Sequence, residues 1–138
     1  MPDLTELLAL ARAARAQAHA PYSHFTVGAA VETTDGRRFT GANIENASYG
    51  LSMCAERIAV FAAVHAGATA LAAVAVSGPD GVTTSPCGAC RQVLAEFGAP
   101  EVPLAYARAD GAHETSLGAL LPEAFVPAAL DAARGERA

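Results

Sequence analysis

Residues 54–98 read CAERIAVFAAVHAGATALAAVAVSGPDGVTTSPCGACRQVLAEFG, and the order of elements within them decides the fold class. From Cys54 to Ala66 there is no Gly or Pro, alanine recurs, and Gly67 follows. That pattern predicts a helix with a C-terminal stop. Ala70 to Ser77 is an unbroken apolar run, the pattern of a strand buried on both faces. Pro86 precedes a second helix, Gly88 to Phe97, stopped by Gly98. Helices that alternate with buried strands are the signature of an α/β protein.

Working outward, Leu4, Leu7, Leu8 and Ala11 recur at helical spacing. They predict a helix from Asp3 to Ala18, capped by Asp3 or Thr5 and ended before Pro21. Two β-rich runs, Thr26 to Thr33 and Arg38 to Ile44, flank Asp35-Gly36 and predict a β-hairpin. Downstream, Val102 to Arg108 reads as a strand and Asp110-Gly111 as a turn. Leu117 to Leu121 leads into Pro122, and a short helix starts at Pro127. The tail from Ala132 to Ala138 is expected to fray. Helix, hairpin, helix, strand, helix, strand, helix predicts an α/β sandwich with a mixed sheet. No repeat or linker interrupts the chain, so residues 1–138 are expected to form a single domain.

Apolar residues make up 52% of the 138 positions and charged residues 17%, which suits a packed core. Much of the apolar share is alanine. Alanine buries little area, so tight helix packing, contacts between subunits, or both must supply the rest. The net charge of −5 argues against a protein that grips nucleic-acid phosphates. The N-terminus lacks a basic start and apolar core, and Leu71 to Val76 is too short to span a bilayer. A cytoplasmic protein with no membrane partner is expected.

The three cysteines are Cys54, Cys87 and Cys90. An odd count without a secretion signal disfavours a disulfide framework. The pattern is Cys54-x-Glu56 and then Cys87-x-x-Cys90. Three thiolates with an open fourth position describe a catalytic zinc rather than a closed structural one. Cys87 and Cys90 lie three apart at a helix start, and Cys54 stands at another. The partial positive charge of helix N-termini favours thiolates. Three thiolates on Zn²⁺ leave an excess negative charge. Arg57 and Arg91, close behind the thiols, are expected to offset it by donating hydrogen bonds to sulfur. Cys-x-x-Cys alone also suits a redox pair or a structural zinc. His19, His24, His65 and His113 lack ligand-like spacing to the thiols.

Four segments together resemble the cytidine deaminase family. They are Pro21-Tyr22-Ser23-His24-Phe25-Thr26-Val27-Gly28-Ala29, Gly41-Ala42-Asn43-Ile44-Glu45-Asn46-Ala47-Ser48-Tyr49, Cys54-Ala55-Glu56-Arg57 and Pro86-Cys87-Gly88-Ala89-Cys90-Arg91-Gln92-Val93-Leu94. Leu120-Leu121-Pro122-Glu123-Ala124-Phe125 resembles the family's C-terminal motif. Chain length and the three-Cys set resemble the small homotetrameric branch. The resemblance implies a three-layer sandwich with a five-stranded mixed sheet flanked by helices, and one zinc per chain. It implies that Asn43 and Glu45 hold the sugar hydroxyls, that Phe25 packs on the pyrimidine, and that Ala55 belongs to the substrate site. Ala47 and Tyr49 would reach a neighbouring subunit's site, and Phe125 would cover a base bound next door. Taken alone, Phe25 and Phe125 read as core, and Asn43 and Glu45 as a solvated strand end.

The implied reaction is hydrolytic deamination of cytidine and deoxycytidine in pyrimidine salvage. Zinc would activate water, and Glu56 would move the protons. Blasticidin S deaminase shares the Cys-Ala-Glu and Pro-Cys-Gly-x-Cys motifs, but the Asn-Ile-Glu-Asn-Ala-Ser-Tyr segment and Arg57 favour the cytidine enzyme. A nucleic-acid deaminase would need a basic strand-binding stripe. A non-catalytic zinc module is the reading from another functional class.

Overall fold

The structure, a computed structural model, describes residues 2–137, with side chains through residue 135. Asp3 caps α1 (Leu4–Ala14) by accepting the Glu6 N–H at 3.1 Å. A 3-10 turn, Arg15–Gln17, continues it. A hairpin follows, β1 (Gly28–Thr33) and β2 (Arg38–Ala42), then α2 (Ala55–His65), β3 (Leu71–Ser77) and α3 (Gly88–Phe97). The chain closes with β4 (Pro103–Arg108), β5 (Gly111–Ser116), α4 (Leu117–Leu120) and α5 (Pro127–Arg137).

The five strands form one mixed sheet in the order β2-β1-β3-β4-β5, with only β3 and β4 as parallel neighbours. Helices cover both faces. Leu7 and Ala11 of α1 pack on Ala30, Ala73 and Ala75. On the other face Ala59, Val60 and Ala63 of α2 and Leu94 of α3 pack on Val31, Val74, Val76 and Leu104. The alternation within β3 sets this asymmetry: alanines point to α1 and valines to α2 and α3. Small side chains let α1 lie close. A Cβ on Gly28 would stand 1.9 Å from the Ala11 carbonyl oxygen. The alanine-rich composition thus expresses close helix-on-sheet packing.

Strand direction positions the thiols. Both β2 and β3 run antiparallel to β1, so they share a direction, and Ala42 and Ser77 lie on either side of Gly28 in the register. Each is followed by a helix on the same face of the sheet. The N-termini of α2 and α3 therefore meet at the carboxyl end of these strands, where open α/β sheets place their ligands.

Three local expectations are corrected. The first helix is regular only to Ala14, and the hairpin ladder begins at Gly28, not Thr26. Before it, the Val27 N–H goes to the Asn43 side chain and Arg15 holds Thr26. The residue reading placed only a turn at Asp110-Gly111, whereas Gly111–Ser116 forms the edge strand β5. That strand is polar and largely exposed, so no alternation marks it. The final helix runs Pro127–Arg137, and Ala138 lies outside the described residues.

Gly41 joins the sheet to the thiol-bearing helix. A Cβ there would lie 2.6 Å from both the Ala55 carbonyl oxygen and the Ala59 nitrogen. Gly41→Ala is expected to cost ~1–3 kcal/mol in urea denaturation, the usual range for overpacking. It should also loosen zinc binding by displacing the first turn of α2. An unchanged denaturation midpoint and zinc affinity would contradict this packing.

Candidate metal centre and substrate cleft

Cys54 is the N-cap of α2 and Cys87 the N-cap of α3, both with extended backbone. Cys90 follows in the first turn of α3 and is fully buried. The Cys87 sulfur accepts the Cys90 N–H at 3.4 Å. The sulfurs of Cys54 and Cys87 are 3.9 Å apart, those of Cys87 and Cys90 3.4 Å, and all three lie within 4.8 Å of one another. Tetrahedral Zn–S bonds of ~2.3 Å place two sulfurs about 3.8 Å apart. The donor set therefore fits zinc in spacing and in chemistry. No imidazole or carboxylate joins the group among the described residues, so three thiols leave the fourth position open.

The electrostatics agree. Hydrogen bonding with Cys90 lowers the Cys54 thiol to about 5, against the effect of burial and with help from the Arg57 guanidinium. The same pairing and burial push Cys90 upward. The Arg57 guanidinium and the hydrogen bonds among the sulfurs thus favour thiolate character in the group, and a divalent cation among the three sulfurs would displace the protons that remain. Arg57 Nη2 donates to the Cys54 sulfur at 3.1 Å, as expected. Arg57 Nε is buried without a protein partner. The helix brings residue i+3 back over its N-cap, which is why Arg57 reaches Cys54.

Arg91 corrects the sequence reading. It donates to the Pro86 carbonyl at 2.8 Å, the Leu120 carbonyl at 2.9 Å and Ser85 Oγ at 3.4 Å, not to sulfur. One residue beyond Cys90 it is turned about 100° around the helix, away from the thiols. It ties the thiol loop to the C-terminal segment instead.

Glu56 lies in the first turn of α2 and is only 4% exposed. Burial raises its pKa, and the charge on Cys54 adds to the rise. A buried carboxyl held towards its protonated form beside a cleft is suited to exchanging protons. Glu56 lines a cleft of about 290 Å³ together with Phe25, Asn43, Glu45, Ala55, Cys54 and Cys87. The structure thus gathers residues from four separated segments into one place. Thr84 and Ser85 line it too. The sequence reading did not single them out, and their one signal was adjacency to Pro86-Cys87.

Three other expected residues stand outside this cleft. Tyr49 is 75% exposed and meets Tyr22 edge to face with ring centroids 5.8 Å apart. Ala47 is exposed in the same loop. Phe125 is 64% exposed, with its carbonyl held by Gln92 Nε2 at 2.6 Å.

The family model for the cytidine and deoxycytidylate deaminase zinc-binding region matches residues 1–106. The chain belongs to this deaminase family. The cytidine deaminase of Sporosarcina psychrophila is 45% identical over 124 residues, covering 89% of this chain and 91% of that protein. The cytidine deaminase of Mycobacterium tuberculosis H37Rv is 44% identical, covering 91% of this chain and 92% of its own. Among solved structures, cytidine deaminase from Burkholderia pseudomallei superposes with a TM-score of 0.82 at 48% identity. That match covers 90% of this chain and all of that one. The five-stranded sheet and its flanking helices are thus the family fold.

The protein purified without added metal is expected to carry about one zinc per chain. Arg57→Gln should keep the fold but release zinc faster to a chromophoric chelator and slow turnover by roughly 10- to 100-fold, the range for lost outer-shell partners. Wild-type release and turnover would reduce Arg57 to a packing residue.

Proposed function

We infer that the chain is a zinc-dependent cytidine deaminase that hydrolyses cytidine and deoxycytidine to uridine and deoxyuridine, releasing ammonia. The observation that carries this reading is the meeting of three thiols and the buried Glu56 with Asn43 and Glu45 in one cleft. Zinc, when bound by Cys54, Cys87 and Cys90, supplies a Lewis acid that makes water acidic near neutral pH. Glu56 takes a proton from the attacking water, protonates the ring at N3, and then delivers a proton to the departing amine. Its exclusion from the thiol group keeps it free to do so. Phe25 packs against the pyrimidine, and Ala55 forms the wall beside Glu56. Asn43 and Glu45 hold the sugar hydroxyls through hydrogen bonds that are charge-assisted at Glu45.

The cleft also indicates a nucleoside rather than a nucleotide. No arginine, lysine or histidine lines it among the described residues, while two carboxylates do. A 5′-phosphate would meet negative charge there without a partner. The net charge of −5 extends the same argument to nucleic acid. No helix among the described residues is long and apolar enough to cross a membrane.

The reading includes a cytoplasmic homotetramer with shared sites. Large apolar side chains on the isolated chain support association: Tyr49, Leu51, Phe61, Val64 and Phe125 are all exposed. In this reading Ala47 and Tyr49 reach towards a neighbour's site, and Phe125 covers the base bound in one.

Glu56→Gln should retain zinc and fold yet lose at least ~10²- to 10⁴-fold in turnover, followed by the ultraviolet change of cytidine. Near-normal turnover of the zinc-loaded variant would remove Glu56 from the mechanism. Cytidine monophosphate should be a far poorer substrate than cytidine, and comparable kcat/KM values would contradict the nucleoside reading.

A further inference from the structure

We propose that Ser23 is a positioning residue that holds Glu45 for recognition of the sugar hydroxyl, and so sets the preference for hydroxyl-bearing sugars. The proposal rests on the reading of Glu45 given above.

Residues 22–27 lie outside the sheet, yet their backbone is closely held. The Glu45 Oε1 atom accepts the Tyr22 N–H at 3.0 Å and the Ser23 N–H at 3.1 Å. The Ser23 hydroxyl donates to Glu45 Oε2. Asn43 holds the other end of the segment, accepting the Val27 N–H at 2.9 Å and donating to the Phe25 carbonyl at 2.8 Å.

The Ser23 proton has one destination. A hydroxyl carries a single hydrogen and two lone pairs, and an ionised carboxylate only accepts. The Phe25 N–H donates to Ser23 Oγ at 3.0 Å, occupying one of its two lone pairs. The backbone is shaped for this contact: His24, between the two residues, adopts the left-handed conformation at φ 57° and donates its N–H to the Ala20 carbonyl at 3.0 Å. A non-glycine residue rarely adopts that conformation, and it persists only where its surroundings impose it. The Ser23 hydrogen is thereby directed at Glu45.

Acceptor capacity sets what remains. A carboxylate offers about four lone-pair sites. The loop occupies three at Glu45, leaving one for a sugar hydroxyl in the cleft that Ser23 and Glu45 both line. Ser23 acts on sugar recognition through the orientation of Glu45, which its hydroxyl holds. Without the Ser23 hydroxyl, Glu45 Oε2 loses its only protein donor among the described residues and turns more freely. Phe25, whose N–H is exposed, can take water in place of Ser23 and keep its place against the base.

The test compares cytidine with 2′,3′-dideoxycytidine, which lacks both hydroxyls, using the zinc-loaded full chain. Ser23→Ala is expected to lower kcat/KM for cytidine about tenfold, mostly through KM, in line with loss of one charge-assisted hydrogen bond. Its kcat/KM for dideoxycytidine should match that of the unmodified chain, which also shows that the variant is folded. Glu45→Gln should show the same selectivity, and the double variant should be no worse on cytidine than Glu45→Gln alone. Equal change on both substrates, or losses that add in the double variant, would overturn the role of Ser23. If Glu45→Gln discriminates between the substrates and Ser23→Ala does not, only this proposal falls. If Glu45→Gln itself fails to discriminate, the reading of Glu45 falls and this proposal with it.

Discussion

The convergence of three sulfurs at two helix N-termini is the constraint on which the rest of the structure depends. Sulfur ligands bind zinc as thiolates, and clustered negative charge is costly to hold together away from water. Here the cost is offset in three ways. The first turns of α2 and α3 present positive helix ends to Cys54, Cys87 and Cys90. Arg57 brings a guanidinium to the Cys54 sulfur. The third would be the cation that the spacing of the thiols fits. The common direction of β2 and β3 brings those helix ends together, and the close fit of Gly41 against α2 fixes the height of that helix over the sheet.

Around that centre the cleft proposed to take the substrate is built mostly from irregular backbone. Residues 22–27, 43–45 and 84–85 contribute side chains that no strand or helix holds. Their order comes from side chains that also face the ligand space. Asn43 and Glu45 each spend hydrogen-bonding capacity on the neighbouring segment and keep some in reserve. Such double use lets a polar cleft stay organised before substrate arrives, which lowers the ordering cost of binding. At the other side, Arg91 and Gln92 hold the carbonyls of Leu120 and Phe125, so the helix that carries two thiols also anchors the C-terminal motif.

What the sequence showed follows from which forces are local. The helices α2 and α3 were legible because apolar runs, caps and stop residues lie close along the chain, and β3 because a run buried on both faces needs no alternation. The metal group was legible from the joint pattern of Cys54, Glu56, Cys87 and Cys90, since ligand type and number are chemical facts of the sequence, whereas Cys-x-x-Cys alone also suits a redox pair or a structural zinc. Strand β5 was not legible from its residues: its ladder with β4 stabilises it, and GAHETS carries little apolar signal. Asn43 and Glu45 looked like a solvated strand end, and only resemblance to a family marked them out. Arg91 was misjudged because nearness in sequence to a thiol says nothing of direction around a helix. Thr84 and Ser85 are placed by the path of the loop between β3 and α3, which only the fold reveals.

The central claim is that Cys54, Cys87 and Cys90 hold one zinc and leave its fourth position to a small, light ligand. X-ray absorption at the zinc edge of the protein as purified tests it most directly. The account predicts three sulfur scatterers at ~2.3 Å and one oxygen or nitrogen scatterer at ~2.0 Å. Four sulfurs, or fewer than three, would contradict it.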